Sequence, residues 1–282
     1  MEHSRGRHPP LTGHHGSVAE LIRSAANPLP KRMRALADRR TRRREQAFVV
    51  EGVAPVWQAV DAGAAVEVLV VCPELLAGSP AQTLVEEQEA GGVSVARLTR
   101  ELFTRISDRE GPSGLAAIVR APADSLAQLR VHERGFFVAA HEMANPGNLG
   151  TLIRTAEGLG ADGVLVVGNG ADPLSPQAVK ASMGSLFHLP VVSLPDLDAF
   201  FGWAADSRVR TVTSSAKATT ALADADLTRP LALLLGAERT GLPPAALARS
   251  DVQVSIPMRG RATSFNVAVA AGILMYEIAR RL

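Results

Sequence analysis

Three short segments carry side chains that could do chemistry. The first is Asn145-Pro146-Gly147-Asn148-Leu149-Gly150 with Arg154. The second is Gly236-Ala237-Glu238-Arg239-Thr240-Gly241, and the third is Ile256-Pro257-Met258 followed by Ser264-Phe265-Asn266. Each stands where a β-strand pattern ends, so all three fall at carboxyl ends of strands, where open α/β sheets gather ligands. In the first, Asn148 or a neighbour can cap a helix whose free N–H groups point outward. Arg154, on the second turn of that helix, can reach back to the same mouth. In the second, paired glycines let a ligand approach the backbone, and Glu238 supplies a lone carboxylate. In the third, a basic loop with Arg259 and Arg261 leads to Ser264, a good N-cap, and to Asn266, a polar residue early in an otherwise apolar helix. Each segment has a plainer reading alone: a cap beside a surface arginine, a turn with Glu238 near a helix start that favours it, and a capped helix. Three together make a candidate active site.

The elements that must position them follow from periodicity. Strands are expected over 48–52, 66–72, 93–97 and 115–120, with helices over 18–25, 30–44, 53–62, 82–90 and 99–105. Residues 121–125 break the composition and read as a linker. Beyond them, strands over 136–140, 163–167, 189–194, 209–214, 231–235 and 252–256 alternate with helices over 149–159, 176–185, 197–205, 243–249 and 264–282. Such alternation implies an α/β fold with a mostly parallel sheet covered on both faces. The expected organisation is a flexible leader over 1–16, a small α/β domain over 17–122, a linker over 123–130 and a second α/β domain over 131–282. Gly158-Leu159-Gly160-Ala161-Asp162-Gly163 matches the dinucleotide fingerprint G-x-G-x-x-G, which requires a strand before it and a helix after it. Here a helix ends and a strand begins, so these glycines read as C-capping residues.

Composition narrows the function classes. Cys72 is the single cysteine of the 282 residues, which excludes an intrachain disulfide and a cysteine-based zinc site. The first ten residues are polar, unlike a secretory signal. No apolar run approaches the ~18 residues of a membrane helix, and the chain is read as cytoplasmic, without metal or membrane partner. Net charge is +2, but residues 1–47 hold 11 Lys and Arg against 4 Asp and Glu. Lys31, Arg32, Arg39, Arg40, Arg42, Arg43 and Arg44 form the electrostatic footprint of a phosphate-backbone binder. Leu29, Met33, Leu36 and Ala37 follow a helical period that puts arginines on the opposite face. A solvated charged helix face is the alternative.

In order and spacing, the three segments resemble the SpoU family of the SPOUT methyltransferase superfamily. The family pattern is N-P-x-N-x-G-x-x-x-R, then G-x-E-x-x-G, then I-P-M followed by S-x-N-V at the final helix. This chain supplies Asn145, Pro146, Asn148, Gly150 and Arg154; Gly236, Glu238 and Gly241; Ile256, Pro257, Met258, Ser264, Asn266 and Val267. Phe265 stands where leucine is usual. Lys180-Ala181-Ser182-Met183-Gly184-Ser185 is similar to the family's intervening helix, and the likeness spans roughly 136–282. Arg43, the run from Phe48 through Glu51 to Gly52, and Gly114-Leu115-Ala116 resemble the ribosomal-protein-like RNA-recognition domain of many members. The nearest likeness is to actinomycete enzymes that methylate large-subunit ribosomal RNA and confer antibiotic resistance of the thiostrepton and avilamycin types.

This resemblance implies a C-terminal trefoil knot, a homodimer and S-adenosyl-L-methionine as methyl donor. The donor would be held at Thr213, Ser214, Leu235, Gly236, Ile256, Pro257, Met258 and Phe265. It implies methyl transfer to a ribose 2′-hydroxyl of RNA by a catalytic set of Arg154, Asn148, Glu238, Ser264 and Asn266, with Arg259 and Arg261 among the RNA contacts. Base methylation, a transfer RNA substrate, and a catalytically dead RNA-binding protein are the competing readings. The intact catalytic set argues against the last.

Overall fold

The computed structural model describes residues 21–107 and 110–281. The leader and residues 18–20 of the first expected helix lie outside them. Residues 21–25 are not helical: Ile22 bridges Leu98, donating its N–H to the Arg97 carbonyl at 2.7 Å. The expected helix over 30–44 is two, α1 (Pro28–Ala35) and α2 (Arg39–Glu45). Asp38 divides them, because its carboxylate accepts the Thr41 N–H at 2.8 Å and starts a new helix.

The first sheet contains β1 (Ala47–Glu51), β2 (Val66–Val71), β3 (Ser94–Arg97) and β4 (Leu115–Arg120), in the order β1-β4-β2-β3. Only β2 and β3 run parallel. Around it lie α3 (Val53–Asp61), α4 (Pro73–Leu76), α5 (Ala81–Ala90) and α6 (Arg100–Ile106).

The second sheet holds β5 (Phe136–His141), β6 (Gly163–Val167), β7 (Val191–Leu194), β8 (Arg210–Ser214), β9 (Leu231–Leu235) and β10 (Val252–Val254). All are parallel, in the order β10-β8-β9-β5-β6-β7. Its helices are α7 (Pro146–Gly158), α8 (Pro176–Ser182), α9 (Leu197–Asp206), α10 (Pro244–Arg249) and α11 (Val267–Ala279). Burial on both faces explains why the central strands are continuous apolar runs. Phe136, Val138 and Ala140 join the core under α7 and α11. Phe137 and Ala139 face the other way, where Phe137 meets Trp203 of α9 edge-on at 5.2 Å. Gly160, at φ +73 beyond the end of α7, is the C-capping glycine expected there. Helix α8 stops at Ser182 because Met183 turns left-handed, at φ 52. Where α7 crosses α8, a Cβ on Gly150 would press on the Ala178 carbonyl and lie 2.7 Å from the Ala181 Cβ. Only glycine permits that approach.

A latch joins the two sheets. Arg42 is 4% exposed and pairs with Asp172 at 2.5 Å. It also donates to the carbonyls of Leu36 (2.8 Å) and Ala37 (2.7 Å). His188 and Gln58 meet at 2.7 Å across the same boundary, and Phe48 stacks on Phe187 with centroids 6.1 Å apart. Arg42, expected among the RNA contacts, is therefore turned inward, its charge spent on Asp172. Among the described residues no helix is long and apolar enough to cross a membrane, and no cluster of His, Cys, Asp or Glu is placed to hold a metal ion.

Removing one member of a buried ion pair strands the other, at a cost of about 3–5 kcal/mol. Arg42→Ala should therefore lower the unfolding free energy by about 3 kcal/mol, while Arg40→Ala on the exposed side of α2 should change it by less than about 0.5 kcal/mol. Urea denaturation read by circular dichroism checks this; equal midpoints for the two variants would contradict the latch.

Candidate active site

The carboxyl ends of β10, β8, β9 and β5 lie side by side, and from them spring the three segments with chemical side chains. Entry into α7 is set by Asn145, whose Oδ1 accepts from the N–H of Gly147 (2.8 Å) and Asn148 (3.2 Å), with Pro146 in the first turn. Asn145, not Asn148, is thus the cap, and its signal was the Asn-Pro pair itself, a favoured N-cap before a favoured first residue. Capping by Asn145 frees the Asn148 side chain for other partners.

Glu238 takes up that freedom. Its carboxylate accepts from the backbone N–H groups of Ala144 and Asn145, both at 3.1 Å, and from Asn148 Nδ2 at 3.2 Å. It therefore faces the entry of α7 and not the start of α10. The 236–241 turn aims it there: Gly241, at φ +66, donates to the Ala237 carbonyl at 2.9 Å. A Cβ on Gly236 would collide with the backbone of Gly241 and Leu242. Partial burial pushes the Glu238 carboxyl upward. Hydrogen bonds from its own N–H, from Ala144, from the Asn148 amide and from Asn145 outweigh that and hold it below the usual carboxylate range. A lowered pKa means the loop cohesion it provides is complete across neutral pH and is lost only in acid, as pH falls through that lowered value.

The third segment joins through Asn266. Its Oδ1 accepts the Ala268 N–H at 2.9 Å, capping α11, and its Nδ2 donates to Asn148 Oδ1 at 3.4 Å. Ser264 was the expected cap; it lies instead two residues ahead of the cap, exposed in the loop. Glu238, Asn148 and Asn266 thus form one chain of hydrogen bonds across all three segments.

The remaining expected residues distribute around this chain. Leu235 is buried, and Gly236, Ser214, Ile256 and Met258 are half-buried at the strand ends, with Pro257 and Phe265 exposed. Thr213 is fully buried and its hydroxyl meets that of Ser250 at 2.8 Å, so its backbone alone faces the strand ends. The excursion after β8 is clamped over β10 by Ser255, which donates to Thr220 and accepts from Leu222, both at 2.9 Å. Among the described residues, the N–H groups of Ile256 and Met258 have no hydrogen-bond partner. Free backbone donors beside a half-buried apolar wall suit the polar edge of an adenine or the carboxylate of an amino acid, the two ends of S-adenosylmethionine. Arg154 is exposed on α7, and Arg259 and Arg261 are exposed on the loop before α11; none of them has a hydrogen-bond or ion-pair partner among the described residues. In the basic segment, Lys31, Arg40, Arg43 and Arg44 are exposed, whereas Arg39 is half-buried and donates to the Gly170 carbonyl at 3.1 Å. Arg32 is paired with Glu45 (2.9 Å) and Glu67 (2.7 Å), so its charge is already answered within the fold.

Known proteins share this architecture. Residues 135–276 match the SpoU rRNA Methylase family, and residues 27–117 match the MRM3-like substrate binding domain. The chain is 33% identical, over 100% of its length and 96% of the relative's, to the 23S rRNA (uridine(2479)-2'-O)-methyltransferase of Streptomyces viridochromogenes. The crystal structure of the SpoU methyltransferase AviRb from that organism, in complex with AdoMet, matches with a TM-score of 0.82 and 32% identity, over 90% of this chain and 98% of that one. The AdoMet-bound rRNA methyltransferase from Sinorhizobium meliloti matches with a TM-score of 0.84 and 30% identity, over 94% and 98%. With a parallel sheet of this order and three joined loops at its carboxyl edge, the chain belongs to the SpoU rRNA methylase family.

Proposed function

We propose that the chain is a cytoplasmic, S-adenosylmethionine-dependent RNA ribose 2′-O-methyltransferase acting on large-subunit ribosomal RNA. The observation that carries this reading is the Glu238–Asn148–Asn266 chain, which gathers three loops beside free backbone donors, with Arg154 on α7 and Arg259 and Arg261 before α11 left exposed. The threading of the C-terminal segment as a trefoil knot belongs to the same reading.

When bound, S-adenosylmethionine supplies a methyl group already activated on a sulfonium. The backbone of Thr213, Ser214, Leu235, Gly236, residues 256–258 and Phe265 would hold it. What the protein's other residues must do is present a nucleophile. A ribose hydroxyl is a poor one until it loses its proton, and it is also the group that distinguishes RNA from DNA. Asn148 and Asn266 present amide groups fixed by neighbours, suited to orienting the ribose, with Ser264 at the rim. An arginine guanidinium offers donors and no acceptor, so it does not act as a base. Arg154 instead stabilises charge developing on the 2′-oxygen, an oxyanion-type role, while the hydroxyl proton passes to solvent water as the oxygen–methyl bond forms and the methyl–sulfur bond breaks. Glu238 holds the loops in register and does not touch the reacting atoms.

Homodimerisation has specific support in α11. Two small residues of α11 pack within the chain: Ala271 is fully buried, and Gly272 faces Thr155 of α7. The opposite side exposes Val269, Ile273 and Tyr276, continued by Phe265, an apolar stripe at helical spacing. Exposed stripes of this kind mark interaction surfaces. Paired copies of α11 would cover it.

Arg154→Ala should lower kcat for transfer of labelled methyl groups to ribosomal RNA by about 100-fold or more, with the cofactor Kd unchanged; near-normal turnover would sink the assignment. Light scattering should give the mass of two chains for the wild type and of one for Val269→Glu/Tyr276→Glu. A wild type of single-chain mass would remove the dimer.

A further inference from the structure

A cavity of about 370 Å³ lies between α2 and the outer strands β6 and β7, apart from the methyl-transfer loops. It is within the range of about 300–1,000 Å³ typical of ligand sites. Leu186, Phe187 and Leu189 give it an apolar wall, while Arg39, Arg43, Gln46 and Asn169 line it with donors and amides. Its acids are already engaged: Asp172 by Arg42, and Asp124 by the Ser193 N–H at 2.7 Å. Two of its three cations have no ion pair among the described residues. Arg39 Nε is buried without a hydrogen-bond partner, and Arg43 is exposed with no ion pair among the described residues. A buried donor left unsatisfied destabilises the fold, and an incoming anionic acceptor relieves that cost. An aromatic and aliphatic wall, amide groups and two uncompensated guanidinium groups together suit a flat heterocycle that carries a phosphate.

Its place in the fold says where that nucleotide comes from. The cavity includes Gly168 and Asn169, just past the carboxyl end of β6. That turn is bonded to the loop leading to Asn145: Glu142 donates to the Val167 carbonyl at 2.9 Å, and Ala171 to the Met143 carbonyl at 2.7 Å. From β5 to β7 is two strand spacings, about 10 Å. The cavity therefore opens along the same edge of the sheet as the methyl-transfer loops, and α2 brings its exposed arginines to it. We propose that this interdomain cleft binds a second nucleotide of the substrate RNA, near the methylated one along the same strand. Its unstacked base rests on Phe187 and Leu189, and its phosphate meets Arg39 and Arg43. Splayed bases held on aromatic side chains are the usual way proteins read single-stranded RNA. This inference rests on RNA being the substrate.

Ser193 is exposed on β7 and lines the cavity, and its backbone bond to Asp124 does not involve its side chain. Ser193→Trp should plug the cleft and raise the KM for a ribosomal RNA fragment by about tenfold or more, with kcat at saturating RNA and the cofactor Kd unchanged. Arg39→Ala should reduce the slope of log affinity against log salt by about one, the loss of one phosphate contact. Both variants are first checked for a wild-type circular dichroism melt. Unchanged KM and salt slope in folded variants overturn the proposal. So does saturable binding of uridine or adenosine 5′-monophosphate that Ser193→Trp abolishes while RNA KM stays level, since the cleft then serves a free nucleotide. If the wild type binds the RNA but transfers no methyl group, the proposed function fails, and RNA affinity in the two variants still decides the cleft.

Discussion

One ionised carboxylate determines whether the candidate site exists as a unit. Glu238 meets Asn148 across 90 residues of chain, and Asn148 meets Asn266 across 118. The donors Glu238 collects are ones the entry to α7 leaves over: the N–H groups of Ala144 and Asn145, ahead of the helical ladder. A carboxylate accepts without competing to donate, so one side chain can pull several such groups to one point. Asn148 can then use its carbonyl oxygen for Asn266, and the start of α11 is drawn against the start of α7. The glycines at 236 and 241 matter because only a turn this tight sends Glu238 toward β5 and away from α10.

The basic segment shows how burial sorts residues of one type. Arg39, Arg40, Arg42, Arg43 and Arg44 are carried on two turns of α2, yet they have different tasks. Arg42 turns inward to Asp172 and fastens the small sheet to the large one. Arg39 is half-buried against Gly170, and Arg40, Arg43 and Arg44 remain outside. A rigid connection matters for a protein that must grip a polyanion with one unit and act with another, because a slack joint would spread the bound RNA over many positions relative to the loops.

Much of this was legible in the sequence because the second sheet is buried on both faces. Its central strands β5, β6 and β9 are unbroken apolar runs that end at glycine or polar residues, and two of the chemical segments stand at those ends. What was not legible depended on contacts distant in sequence. Nothing local separates Arg42 from Arg43, since only the fold brings Asp172 to the one and solvent to the other. Asp38 was a visible capping residue, but the helix expected over 30–44 was carried through it by the basic run beyond, which masked the break between α1 and α2. Ser264 and Asn266 are both good caps; Asn266 wins where its second amide group can also reach Asn148.

The central claim is that these loops direct a methyl group to a ribose oxygen. The most direct measurement is transfer of labelled methyl from S-adenosylmethionine to a ribosomal RNA fragment, repeated on the same fragment with a single 2′-deoxy substitution at the mapped target. Transfer to the first and none to the second is the predicted result. Transfer that survives removal of the hydroxyl would place the methyl group on a base and contradict the account.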